Sequence, residues 1–148
     1  MPRILFVCGT NRSRSPLAAA VFKKFAEDAG VQDLSVESAG LRANPRHMIC
    51  EEVSKVLALE GLTPIQLGIQ QVLPKNIKSA DLVLCFTSDQ QQELESSFLS
   101  ARRKTRTLMS IIKSDQEIFD PCKGGLIKFQ QCLAMMRPAL QALAERLT

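Results

Sequence analysis

RILFVCGTNRSRSPLAAAVF, residues 3–22, is the stretch from which the rest of the chain can be read. After Arg3 it runs through Ile4, Leu5, Phe6, Val7 and Cys8 and stops at Gly9. An apolar run of that length, ended by glycine, predicts a buried strand. The polar turn GTNRSRS follows. From Pro16 onward, Leu17, Val21, Phe22, Phe25 and Ala29 share one helical face. Ser15 is expected to cap that helix, Pro16 to be its first residue, and Gly30 to stop it.

The same pattern continues outward. Leu34 to Ser38 reads as a second strand, and residues 47–60 as a helix closed by Gly61. Asp81 to Phe86 predicts a third, buried strand and Lys104 to Met109 a fourth, with a helix over Ser88 to Phe98 between them. Leu126, Phe129, Leu133, Met136, Leu140, Leu143 and Leu147 alternate spacings of three and four, which predicts an amphipathic C-terminal helix docked on the core. Pro138 is expected to kink or break it. Strands alternating with helices imply one α/β domain over residues 1–148, with a central parallel sheet of about four strands and helices on both faces.

Composition narrows the function. The chain has 148 residues, 45% apolar and 23% charged, enough to bury one core. A net charge of +4 suits anionic ligands. There is no Trp or Tyr to stack on bases, and Arg102, Arg103, Lys104 and Arg106 read as a solvated strand entry, so no nucleic-acid partner is expected. Nor is a signal peptide or membrane span. Five scattered cysteines without a C-x-x-C pair argue against a disulfide framework or zinc cluster and for a reducing compartment, the cytoplasm.

The chemistry is expected in the loop. Cys8 sits where a strand ends and a helix begins, the ligand-binding edge of an open α/β sheet. Five residues separate it from Arg14, and Ser15 follows. A loop of Gly9, Thr10, Asn11, Arg12, Ser13, Arg14 and Ser15 can turn its N–H groups inward beside the free amides of the helix start, which makes an anion cradle. Arg14 can grip two phosphate oxygens through its planar fork. Positive surroundings favour the thiolate form of a cysteine, and a thiolate beneath a phosphate is placed for in-line attack.

VCGTNRSRSPLAAAVF resembles the signature of the low-molecular-weight protein tyrosine phosphatase family, with its C-x5-R-S spacing and an Asn three residues after the Cys. The likeness continues through Val36 to Gly40, Ala80 to Leu84 and the Asp120-Pro121 pair. It implies a phosphomonoester hydrolase with Cys8 as nucleophile, Arg14 binding phosphate, Asn11 shaping the loop, Ser15 bonded to the thiolate and Asp120 as general acid. A carboxylic acid is needed in any case to protonate the leaving oxygen. The expected substrates are phosphorylated proteins or small phosphomonoesters, the expected state a monomer. No metal or organic cofactor is implied, because the cradle and Arg14 supply the charge stabilisation.

The chain also departs from the family pattern. Ser13 replaces a second cysteine that many members carry before the loop arginine, and Thr10 replaces a frequent glycine. Arg12 puts a cation on the rim, where it should repel a guanidinium leaving group. Leu41 to Arg46 and Cys122-Lys123 lack the aromatic walls common in relatives, and Thr87 stands where many have Asp, which bears on support of the loop. His47, the only histidine, reads as a bystander, because the cysteine route needs none. Two rivals stay open. A thiol-linked arsenate reductase needs a resolving cysteine pair, whereas Cys85 lies in a strand and Cys122 reads as a loop cysteine whose redox part is open. A IIB-type phosphocarrier would keep its phosphocysteine and would not need Arg14 together with Asp120.

Overall fold

A computed structural model describes residues 2–148. Strand β1 (Arg3–Cys8) pairs in parallel with β2 (Ser35–Gly40) on one side and with β3 (Leu82–Cys85) on the other; β3 in turn pairs with β4 (Thr105–Thr107). The order β2-β1-β3-β4 makes β1 central, which explains why five of its six residues are buried. It also places the reversal of strand order between β1 and β3, where open α/β sheets bind ligands beyond their strand ends.

Both faces of the sheet are covered. Ile4, Phe6, Leu84 and Phe86 lie in one core with apolar residues of α1 (Arg14–Asp28), α2 (Glu51–Leu59) and α5 (Gly125–Arg146). The rings of Phe6 and Phe22 sit 5.6 Å apart. Leu5, Val7, Val83 and Cys85 point the other way, toward Ile77 of α3 (Pro74–Ser79) and Leu94 of α4 (Ser88–Ser97). That alternation along β1 is the period-two rule at work in a strand buried on both faces.

α1 is unusual in being buried almost all round over its first nine residues, Arg14 to Phe22. Ala18 and Ala19, both fully buried, allow this, because small side chains let a helix lie close to both a sheet and α5.

Several boundaries differ from the sequence reading. α1 begins at Arg14, with Ser13 before it, so Pro16 falls inside the first turn, where its missing N–H costs nothing. Ser15 does not cap the helix; its hydroxyl is taken by Cys8 and Asn11. The second strand runs on to Gly40, and the second helix is shorter than 47–60 because residues 47–50 cross the mouth of the site as irregular chain. The fourth strand has three residues and gives way to a 3-10 turn over Leu108–Ile112. α3 was not legible: six residues are too few for a period. The expected break at Pro138 does not occur, and α5 continues to Arg146. Met136, Ala139, Leu140 and Leu143 are buried on both sides of the proline, so tertiary packing outweighs one lost hydrogen bond.

Candidate active site

β1 delivers Cys8 at its C-terminal end, 1% exposed, facing the first turn of α1. Its Sγ lies 3.0 Å from Ser15 Oγ. Asn11 Nδ2 donates to that same Oγ at 2.8 Å, while the Ala39 carbonyl is more distant at 3.4 Å. Ser15 Oγ donates to that carbonyl, and between Sγ and Oγ either atom can be the donor; a thiolate can only accept, so on ionisation of Cys8 the bond runs from the hydroxyl to sulfur.

Asn11 is the keystone of the loop. Its backbone takes the left-handed conformation, φ 61°, which Asn tolerates better than most residues. Its second Nδ2 proton goes to Ser38 Oγ at 2.9 Å, and its Oδ1 accepts from Gln66 Nε2 at 3.1 Å and from the Gln70 amide at 2.8 Å. Two donors and two acceptors are all used, which is full satisfaction for an amide buried to 0%. At Gly40 a Cβ would stand 2.8 Å from the Asn11 nitrogen and 2.8 Å from the Thr10 carbonyl carbon, so only glycine lets β2 approach the loop this closely.

Arg14 is 9% exposed. Its Nη1 donates to the Ile118 carbonyl at 3.0 Å, and the Ile118 amide donates to Phe86 O at the end of β3. The guanidinium is thereby fixed to the sheet edge. Nη2 stands 4.0 Å from Asp120 Oδ2, and the buried Nε has no partner among the described residues. A buried N–H on a charged group is costly to leave unpaired, so its orientation fits an oxyanion ligand.

Asp120 lies on the segment between the 3-10 turn and α5, its side chain 48% exposed. Ser13 Oγ donates to its Oδ1 at 3.0 Å and the Cys122 amide does so at 3.1 Å. Partial burial pushes its pKa up, but the Cys122 amide, the Arg14 charge and Ser13 together hold it below the usual carboxylate value.

The structure thus brings Cys8, Asn11, Ser13, Arg14, Ser15 and Asp120 together. Thr10 is exposed and Gly9 partly so. Arg12 is only half-buried, and its Nε donates to Met48 O at 2.8 Å, which holds the cation on the rim beside residues 47–50. His47 is exposed in that same stretch. Thr87 caps α4 by accepting from the Gln90 amide. Support of the loop comes instead from Ser38, Gln66 and Gln70, which sequence reasoning missed; only the buried Asn11 could have hinted at such partners. Size does not mark the site either. A cleft of about 410 Å³ lies further along α1, lined by Lys23, Lys24, Glu27, Leu62 and Pro64, and holds none of these groups.

A family model described as low molecular weight phosphotyrosine protein phosphatase matches residues 3–148. The chain belongs to this family. A protein-arginine-phosphatase of Bacillus subtilis (strain 168) is 32% identical over 97% of this chain and 95% of its own length. A probable low molecular weight protein-tyrosine-phosphatase, EpsP, of Ralstonia nicotianae is 28% identical over 97% of this chain and 94% of its own. Among solved structures, the YwlE arginine phosphatase in a cysteine-to-serine form with a phosphorylated active-site serine superposes with a TM-score of 0.91 at 30% identity, covering 98% of this chain and 95% of that one. The chain is therefore a low-molecular-weight-type protein phosphatase, a cysteine-dependent hydrolase. Among the described residues no helix is long and apolar enough to cross a membrane, and no cluster of three His, Cys, Asp or Glu side chains is placed to hold a metal ion.

Proposed function

We propose that the chain, as one catalytic unit over residues 1–148, hydrolyses phosphomonoesters on protein side chains through a phosphocysteine intermediate on Cys8. The observation that carries this reading is the convergence of a buried Cys8, the α1 amides and the unpartnered edge of Arg14, with Asp120 beside them.

Phosphate enters the cradle and pairs with Arg14 Nε and Nη2. The Cys8 thiolate attacks phosphorus opposite the leaving oxygen; the S–P bond forms as the P–O bond breaks. Asp120 gives its proton to that oxygen. In the empty site Asp120 is held ionised by Arg14 and its hydrogen bonds. A bound phosphate offsets the Arg14 charge and sets a negative group beside the carboxylate, both of which favour its protonated form. In the second step the carboxylate takes a proton from water, whose oxygen attacks phosphorus as sulfur leaves. Ser15 Oγ, 3.0 Å from Sγ, donates its proton to the departing thiolate and stabilises it. The free thiols suit a reducing compartment, and the cytoplasm is the proposed site of action.

For substrate, we take phosphotyrosine in an acidic sequence context, because Arg12 holds a positive charge on the rim and no aromatic wall faces it from residues 41–46 or Cys122. Identity to arginine phosphatases favours phosphoarginine instead. Comparison of kcat/KM on neutral, acidic and phosphoarginine peptides at low salt, repeated with Arg12→Ala, separates the two. A preference for phosphoarginine, or an acidic preference unmoved by Arg12→Ala, overturns the first. The intermediate itself is tested by rapid quenching of p-nitrophenyl phosphate turnover, which should trap one phosphate per Cys8 thiol.

A further inference from the structure

Four of the five cysteines are left unused by that chemistry. Cys85 and Cys132 are deeply buried, and burial pushes each thiol up to about 12, which makes them inert. The other two are different. Cys50 Sγ and Cys122 Sγ lie 3.3 Å apart although 72 residues separate them in the chain. No secondary-structure pairing brings them together: Cys50 stands just before α2, and Cys122 is in the segment that carries Asp120.

The surroundings of the pair bear on its reactivity. Cys50 is 8% exposed and Cys122 partly exposed, so a small oxidant approaches the Cys50 sulfur past Cys122. The Cys50 amide donates to Arg12 O, which ties it to the phosphate loop, and the Cys122 amide donates to Asp120. The hydrogen bond from Cys122, together with the Arg12 charge, brings Cys50 down to about 7, against burial, while Cys122 is raised. Cys50 has the Arg12 cation to favour its thiolate and Cys122 has the Asp120 carboxylate to oppose one, which gives Cys50 the attacking role and Cys122 the resolving one.

We propose that Cys50 and Cys122 are a reversible oxidation site for hydrogen peroxide, separate from the nucleophile, whose disulfide fastens the Asp120 segment to α2. The Cys50 thiolate attacks one peroxide oxygen; an S–O bond forms, the O–O bond breaks and hydroxide leaves. Cys122 sulfur then attacks the Cys50 sulfenic sulfur; the S–S bond forms, the S–O bond breaks, and the Cys122 proton leaves with that oxygen as water. Two sulfurs lose two electrons in all, and peroxide takes them up. The sulfurs need to approach by roughly another 1.3 Å to reach disulfide length, a shift within reach of an irregular segment.

The site is tested in the full chain, in wild type and in Cys8→Ser so that oxidation of the nucleophile does not confuse the readout. After stoichiometric peroxide and alkylation, trypsin should release residues 47–55 joined to residues 114–123, and dithiothreitol should separate them. In Cys122→Ser, dimedone should label Cys50; in Cys50→Ser, Cys122 should stay unlabelled. Hydrogen exchange in residues 114–123 should slow several-fold once the bond forms. Two cysteines that remain fully alkylatable after peroxide, or label found on Cys122 instead of Cys50, overturn the site. A disulfide that leaves exchange in 114–123 unchanged overturns the fastening. None of these readouts uses turnover, so they stand or fall apart from the phosphatase reading.

Discussion

The phosphate loop and the Asp120 segment meet at one site but are built on opposite terms. In the loop, Asn11 spends every donor and acceptor of its amide on neighbours and is fully buried. Asp120 is half exposed and held by one hydroxyl and one amide two residues away. The first is an arrangement fixed before any ligand arrives; the second has the freedom that the proposed acid and base role of Asp120 requires. Anion binding gains from donors that need no reorganisation. Proton transfer gains from a group that can adjust its position and its charge. The contrast says that changes at Asn11 should hurt folding and chemistry together, whereas changes at Asp120 should hurt chemistry far more than folding.

The largest expected effect is at Cys8, the proposed nucleophile. Cys8→Ser should lower turnover by on the order of a thousand-fold or more while vanadate binding survives. Hydrolysis at more than a few per cent of wild type removes Cys8 from its role. Arg14→Lys should lose binding as well, since a point charge cannot replace the fork fixed by Ile118. Next comes Asp120→Asn, expected to cost roughly a hundred- to ten-thousand-fold on alkyl phosphates and much less on p-nitrophenyl phosphate, whose leaving group needs little help. Equal losses on both would mean that Asp120 only shapes its segment.

Asn11→Ala should cost about 2–4 kcal/mol in urea unfolding, because its partners Ser38, Gln66 and Gln70 lose bonds inside the protein. A variant as stable as wild type would erase the contrast between the two regions. The smallest effect is the pH dependence of Asp120. Its folded pKa is depressed, so its stabilising contribution is present above the unfolded carboxylate value and is lost as pH falls through the folded one. For so exposed a group it amounts to less than about 1 kcal/mol. Wild type and Asp120→Asn should therefore differ slightly in Tm at neutral pH and converge in acid; a gap that widens in acid reverses the sign.

The strand-loop-helix core of the fold could be read directly, because β1 is apolar on both faces and α1 shows its period over fifteen residues. Cys8, Arg14 and Ser15 lie close together in sequence, so their spacing alone suggested a cradle. What escaped were relations between distant segments. Ile118 anchors Arg14 through its backbone, which carries no residue signature. Gln66 and Gln70 look like loop residues until the buried amide they serve is seen. Cys50 and Cys122 look unrelated at 72 residues apart. Pro138 misled in part: local propensity allowed a kink or a break, and the helix runs on without the break, with buried neighbours on both sides.

The close burial of α1 bears on how this protein can vary. Its first turn presents the amides and Arg14, and its next turns, through the fully buried Ala18 and Ala19, pack closely within the core. A methyl group added at Ala18 or Ala19, both 0% exposed, meets packed neighbours, and the helix that carries Arg14 has to shift to take it. A misplacement of about 1 Å at a reacting centre can cost a hundred-fold. Core and catalyst are in this sense a single mechanical part, so substitutions at these alanines, remote from any substrate, will register first in enzyme assays and only afterwards in melting curves.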